Sequence, residues 1–442
     1  MATVQSVSAI VSSDDPPPLW RSWAVWVIAA SFYLAAFYIR VSPAVMTQEL
    51  MRDFHISGRD LGNFSAFYFY AYVLMQIPTG VLVDSWGARK LLIVGALCAG
   101  AGTFLFASSN SFWVACAGRA LVGASTAVGW VVTLKLATHW FPARRFATLS
   151  GLGLLVGNIG ALFAQVPLRL LVESFGWRTV ALASAIFMMA TGALAMAVVR
   201  NDPSEVGFAT YAPTVLQGKS PERLLELLKG FAKIFAYRNT WLIFCAQGGF
   251  VGAMLSFTGL WGSPFLKTRY AITSATAAAI CSVMIVCWAS SSVLCGYLSD
   301  RFQRRKPIYV LGAIGAAVGW AVLFYVPGVP LWLFVGIAAL TSFADGAVIL
   351  GFAYAKESVP VKFLGTISGA INAGNMIGPM LLQPAIGWVL DKEWSGQVLA
   401  GSRVFDLHAF HVAFGLILAW AVVACILIAV TKDTNCRQLV LE

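Results

Sequence analysis

The chain has 442 residues, of which 59% are hydrophobic and only 11% charged, with a mean hydropathy of +0.78. A water-facing globular surface draws about a quarter of its residues from Asp, Glu, Lys and Arg, so this composition excludes a soluble protein and turns the outer surface to lipid. The net charge of +11 does not call for nucleic acid, because Lys and Arg collect in the cytoplasmic loops of membrane proteins.

The segment 1–22 lacks the basic start and apolar core of a signal peptide and is expected to stay on as a cytoplasmic tail. A helix needs about 20 apolar residues to cross a bilayer. Apolar runs of that kind predict twelve spans, at 23–46, 62–83, 91–108, 112–136, 146–172, 179–199, 240–266, 274–298, 307–326, 330–355, 363–389 and 408–431. The expected fold is therefore an all-α membrane protein with an N-terminal six-helix bundle at 23–199 and a C-terminal one at 240–431. A polar linker, 200–239, joins them and carries the amphipathic piece SPERLLELLKGFAKIF; residues 432–442 form a second tail. Twelve spans put both termini on one side. If that side is cytoplasmic, inner segments hold nineteen Lys and Arg and outer segments eight, as the positive-inside rule requires. This predicts a multi-pass protein of the cell inner membrane with both termini cytoplasmic, working as a monomer in the bilayer.

The halves repeat one another. The loop after span two reads Gly80-Val-Leu-Val-Asp84-Ser-Trp-Gly-Ala-Arg89-Lys90, and the loop after span eight reads Gly296-Tyr-Leu-Ser-Asp300-Arg-Phe-Gln-Arg-Arg305-Lys306. Span one carries Arg40-Val-Ser42-Pro43 where span seven carries Trp261-Gly-Ser263-Pro264. Gly157-Asn158 with Gln165 in span five matches Gly374-Asn375 with Gln383 in span eleven. Three matches at nearly one offset imply duplicated halves with a binding site between them. In the loops, Gly80 and Gly296 permit close helix crossings. Asp84 and Asp300 can meet a neighbouring helix N-terminus and pair with Arg89, Lys90, Arg305 and Lys306. Such clusters make a conformational gate that breaks when the halves rock.

These motifs resemble those of the major facilitator superfamily, over essentially the whole chain. Gly118-Arg119-Ala-Leu-Val-Gly123 is similar to the family's span-four basic motif, and Trp140-Phe141-Pro142-Ala-Arg-Arg145 to the loop after it. Gly176-Trp177-Arg178 and Asn201-Asp202-Pro203 flank span six in the family's manner. Tyr38-Ile39-Arg40-Val41-Ser42 and Gln76-Ile77-Pro78-Thr79-Gly80 resemble the anion:cation symporters. Ala355-Lys356-Glu357-Ser-Val-Pro360 resembles the organophosphate antiporters. Both branches move organic anions. The chain departs from them in two places: Ser125-Thr126-Ala127 stands where the symporters keep a span-four acid, and Gln76 where the antiporters keep a lysine.

A charge at mid-membrane costs about 2.5–3.5 kcal/mol on insertion scales, so each one points to a role. Arg40 shares a face with Tyr33. Either it binds a carboxylate or phosphate of the solute, or it snorkels to the headgroups. In span four, Arg119 is a site or gating candidate, and Lys135, on nearly the opposite face, reaches the cavity or snorkels inward. Asn158 and Gln165 in span five, and Asn372, Asn375 and Gln383 in span eleven, form polar stripes, which suit solute binding or helix–helix hydrogen bonds. Phe257 and Trp261 lie on one aromatic stripe of span seven. A cation in one half and an indole in the other suit a solute with an anionic end and an apolar or planar end. Asp345, the acid well inside a span, is a proton carrier or a static partner of a buried Arg or Lys.

The eight Cys occur singly, with no CxxC pair and no His/Cys cluster, and neither a nucleophile elbow nor a phosphate loop is present. No enzyme activity, metal or cofactor is expected. The expected function is secondary transport of a small organic anion or zwitterion by rocker-switch alternating access, as an importer with protons as the possible coupling ion. An exporter of amphipathic compounds such as a drug or siderophore, and a transport-dead sensor, are the rival readings.

Overall fold

Proline and glycine decide where the long apolar runs stop being straight helices. In the computed structural model, which describes residues 15–212 and 230–438, the first span runs over Leu19–Val41. Pro43, which has no N–H to continue the ladder, then turns the chain into a 3-10 segment, Ser42–Val45. The second span, Gly58–Ser85, opens on a capping box of Ser57 and Asp60 and bends by 55° between Gln76 and Pro78. The fourth is broken between Phe112–Thr126 and Gly129–Trp140, and the fifth between Phe146–Phe163 and Val166–Phe175. In the seventh, Arg238–Ser256 widens into a π segment, Phe257–Trp261, ahead of Gly262–Tyr270. Pro264 lacks the N–H that an α turn would need there. In the tenth, a 3-10 segment, Gly346–Ile349, separates Leu331–Asp345 from Leu350–Glu357. The breaks thus recur in the pairs one/seven and four/ten that the repeat relates. Irregular backbone at membrane depth survives only where protein or a cavity covers it, so these breaks mark the middle of the molecule.

The remaining long helices are unbroken: Ala88–Ser108, Trp177–Val198, Ser274–Phe302, Lys306–Tyr325, Leu364–Lys392 and Leu407–Ala429. Among the described residues ten elements are long and apolar enough to cross a membrane, and the bent second span makes eleven. Leu364–Lys392 is 29 residues long but is not among them, because Asn372, Asn375 and Gln383 dilute its apolar content. The described part of the expected linker holds a 3-10 turn at Pro203–Val206; most of the amphipathic piece, and the ends of both expected tails, lie outside the described residues.

The two groups of helices meet tightly on the side away from the termini. There Gly58 and Gly62 of the second span cross Gln383 and Gly387 of Leu364–Lys392 so closely that a Cβ on Gly62 would stand 2.8 Å from the Pro384 backbone. On the terminal side the same helices separate. A Cβ on Gly80, Gly151, Gly296, Gly365 or Gly369 would meet nothing within 4 Å. Gly80 and Gly296, expected at close crossings, therefore face open space: the halves part at that end, and the crossing glycines are Gly58, Gly62 and Gly387 at the other.

Candidate functional site

The first helix presents Tyr33, Phe37 and Arg40 on one face, and the second presents Tyr68, Tyr72 and Gln76 at intervals of four. The two ladders face each other. Arg40 is 6% exposed and turned into the bundle, so it does not snorkel. Its Nε donates to the Tyr68 hydroxyl at 3.2 Å. Its guanidinium carbon lies 4.4 Å from the Phe37 ring centre, 5.1 Å from Tyr72 and 5.6 Å from Tyr68, within range of cation–π attraction. Tyr33 extends this wall, with its ring 4.8 Å from Phe37 and 5.3 Å from Trp130 of the fourth span. Gly157 makes room for it, since a Cβ there would stand 2.8 Å from the Tyr33 ring. Among the described residues no carboxylate pairs with Arg40. Among the described residues its two Nη groups have no protein acceptor, and they are not sealed from solvent.

Arg119, 2% exposed, comes close to Arg40 but is already engaged. Its two Nη groups donate to the carbonyls of Ile39 at 2.8 Å and Arg40 at 3.3 Å. These are among the last carbonyls of the first helix, where the helix dipole is negative. Arg119 thus fixes the turn that carries Arg40. The Tyr68 hydroxyl is held in turn by Thr126, whose Oγ1 donates to it at 2.9 Å. Opposite, Asn372 of the second half donates to Gln76 Oε1 at 2.7 Å and to the Tyr72 hydroxyl at 3.4 Å. Gln76 Nε2 is left buried without a partner.

The other sequence-predicted residues separate into different roles. Gln165, Trp261 and Gln383 form a knot on the closed side. Gln165 donates to the Thr258 carbonyl at 3.2 Å, Trp261 to the Gln383 carbonyl at 3.1 Å and Gln383 to the Leu255 carbonyl at 3.1 Å. The widened π turn leaves Leu255 and Thr258 carbonyls free to accept. Phe257 packs against Phe265, Trp320, Phe324 and Phe414 inside the second half, away from the Arg40 cage. Asn158 bonds its own helix at Leu154, 3.0 Å away. The break at Ala164–Gln165 takes Asn158 off the stripe that an unbroken helix would have made with Gln165. Asn375 is buried with its Oδ1 unpaired. Asp345, 1% exposed, forms no ion pair among the described residues, so the expected static partner is absent. The Trp288 indole stands beside it, and its Oδ2 has no hydrogen bond.

The loop clusters differ from expectation in one half. Asp84 pairs with Lys135 of the fourth span at 2.7 Å, and not with Arg89. Arg89 follows the turn at Gly87 (φ +81°) toward the sixth span, where its Nη2 donates to the Met196 carbonyl at 2.8 Å and its backbone N–H to Asn201. Lys135 accordingly reaches the terminal side and not the cage. In the other half Arg305 does meet Asp300, and also Glu357 at 2.8 Å. Burial opposes the charged form of Arg305, but hydrogen bonds to Glu357 and Asp300 outweigh it and raise its pKa above the usual arginine value. Each cluster stays within its own half. Hydrogen bonds between the halves are found on the other side, where Asp391 accepts the N–H groups of Gly58 at 2.9 Å and Arg59 at 2.7 Å.

Comparison with known proteins agrees with this architecture. The family model described as Major Facilitator Superfamily matches residues 25–265 and 249–435. The chain is 26% identical over 400 residues to "Uncharacterized MFS-type transporter C09D4.1" of Caenorhabditis elegans, covering 85% of this chain and 66% of that one, just under two thirds of its length. It is 22% identical over 410 residues to "Probable galactarate/D-glucarate transporter GarP" of Escherichia coli (strain K12), covering 88% and 89%. A solved bacterial homologue of the human lysosomal transporter Spinster, in an inward-facing and unoccupied form, shares the fold with a TM-score of 0.72 at 16% identity, over 93% of this chain and 97% of that one.

Proposed function

The chain belongs to the major facilitator superfamily, and from that premise we propose that it is a secondary active transporter moving a small organic anion or zwitterionic metabolite across the cytoplasmic membrane. The observation that carries this reading is Arg40: a buried guanidinium, held in place by Tyr68 and by the Arg119-braced turn, with no carboxylate partner and its Nη groups free. A buried charge left unpaired is costly, and an anionic solute repays that cost on binding. The name of the Escherichia coli relative, which refers to two sugar diacids, supports the anion class.

Alternating access follows from the seams. We take the terminal side as cytoplasmic, because Lys and Arg are concentrated there, and the structure as an inward-open state. Rocking would release the Asp391 latch and the Gln165–Trp261–Gln383 knot and close the cytoplasmic ends. Import is the direction we propose, with Asp345, buried and without a cation, carrying a proton in each cycle. Flux into proteoliposomes tests the core of this reading. An anionic solute is taken up by the wild type, Arg40→Ala abolishes uptake and Arg40→Lys leaves a remnant, because it keeps the charge without the planar fork. Full uptake by Arg40→Ala contradicts it.

A further inference from the structure

We propose that the central site selects solutes that carry one negative charge on an apolar or aromatic body and discriminates against dianions and phosphate esters, so that its solute differs from the sugar diacids in the name of the Escherichia coli relative. This rests on the reading of Arg40 as the anion site and adds a limit to what that site accepts.

The limit comes first from counting the cations that remain available. Three basic side chains lie inside the spans around the centre. Lys135 is spent on Asp84 at the terminal end. Arg119 is spent on the carbonyls of Ile39 and Arg40, and its Nε is sealed from solvent. Arg40 alone keeps free donors. One guanidinium neutralises one carboxylate, in a two-pronged contact with its Nη groups. A second carboxylate, or the second charge of a phosphate ester, would enter a low-dielectric site unpaired.

The walls set the second limit. The surfaces nearest the guanidinium are the rings of Phe37, Tyr72 and Tyr68, continued by Tyr33 and Trp130. Rings offer area to an apolar or planar body. The Tyr68 oxygen already receives two bonds, from Arg40 and Thr126. The amide of Asn372 is committed to Gln76 and Tyr72. Gln76 Nε2 has no hydrogen-bond partner but is sealed from solvent, as Arg119 Nε is. The Gln76 position sharpens the contrast: an amide there adds no positive charge for a phosphate.

The experiment is a thermal-shift titration of the purified full-length protein with four probes: phenylacetate, hexanoate, glutarate and glucose 6-phosphate. The wild type and the variants Arg40→Ala and Phe37→Leu are compared. Ligand binding raises apparent stability by mass action. The expected result is half-maximal stabilisation by phenylacetate and hexanoate at concentrations at least tenfold below those of the two dianions, loss of the response in Arg40→Ala, and a weaker phenylacetate response in Phe37→Leu. If glutarate or glucose 6-phosphate stabilises as well as the monocarboxylates, and Arg40→Ala removes that response, the charge limit is overturned while the anion site stands. If no probe stabilises the wild type, or the response survives Arg40→Ala, the anion site and the limit fall together. The wild-type comparison decides selectivity even should a variant fail to fold.

Discussion

Asp391 accepts the backbone N–H of Gly58 at 2.9 Å across 333 positions of sequence. This contact ties the end of Leu364–Lys392 to the start of Gly58–Ser85. A carboxylate at a helix N-terminus gains from both the free N–H groups and the dipole, and Arg403, 2.9 Å away, holds the same carboxylate from the other side. It is a latch between halves on the side away from the termini.

Removing the latch with Asp391→Ala should open that side. Hydrogen bonds to a charged group contribute about 1.5–3 kcal/mol, so the open population should grow on the order of tenfold or more. Spin labels at His55 and Leu399, in a cysteine-replaced background, report it as a longer distance component. An unchanged distance distribution would show that glycine packing and the Gln165–Thr258 bond hold the closed side without the latch.

Arg119 acts through position. Arg119→Lys replaces the planar two-pronged fork with a single nitrogen on a flexible stem, so it should weaken anion-induced stabilisation several-fold while the protein stays folded and monodisperse. A response equal to that of the wild type would mean that the turn holding Arg40 needs no brace.

Asp345 is expected to matter for energy coupling and not for binding. Asp345→Asn should keep solute counterflow in proteoliposomes and lose uphill accumulation driven by a pH gradient. Accumulation that survives the substitution would remove Asp345 as the proton carrier.

At the loop after the sixth span, Asp202 accepts hydrogen bonds from His139 at 2.7 Å, Thr210 at 2.7 Å and the Ser204 N–H at 2.9 Å. Burial raises its pKa, but these bonds outweigh burial and hold it below the usual carboxylate range. A carboxylate lowered in the folded state contributes stability above its unfolded pKa and loses it as the pH falls through the folded value. Asp202→Asn should therefore lower the melting temperature at pH 7, and the difference should shrink as the pH drops below about 4. A difference independent of pH would assign the effect to packing.

Much of this was legible in the sequence, and the reasons for the remainder are physical. Lipid demands long apolar runs, so the spans could be read directly, and duplication wrote the paired breaks at Ser42–Pro43 and Ser263–Pro264 into the chain. Arg40 stood out because charge is rare at that depth. Its cage did not: Tyr68 and Tyr72 sit among Phe67, Phe69 and Tyr70, and only the helix period separates those that face Arg40 from their neighbours. The signal was the ladder Tyr68, Tyr72, Gln76, aligned with the ladder on the first helix. Asp391 gave no signal in the sequence, since the helix it caps belongs to the other half. Asn158 and Gln165 were aligned on the assumption of an unbroken helix, and the turn at Ala164–Gln165 removed that alignment. Arg89 was assigned to Asp84 by nearness in sequence, whereas Lys135 reaches it from another span.

The central claim is that Arg40 is the anion-binding group of a transport site. The most direct test is a thermal-shift screen of the purified protein against a library of anionic, neutral and cationic metabolites, repeated with Arg40→Ala. The predicted result is stabilisation by a small set of organic anions, lost in Arg40→Ala. Stabilisation confined to neutral or cationic compounds, or an anion response unchanged in Arg40→Ala, would contradict it.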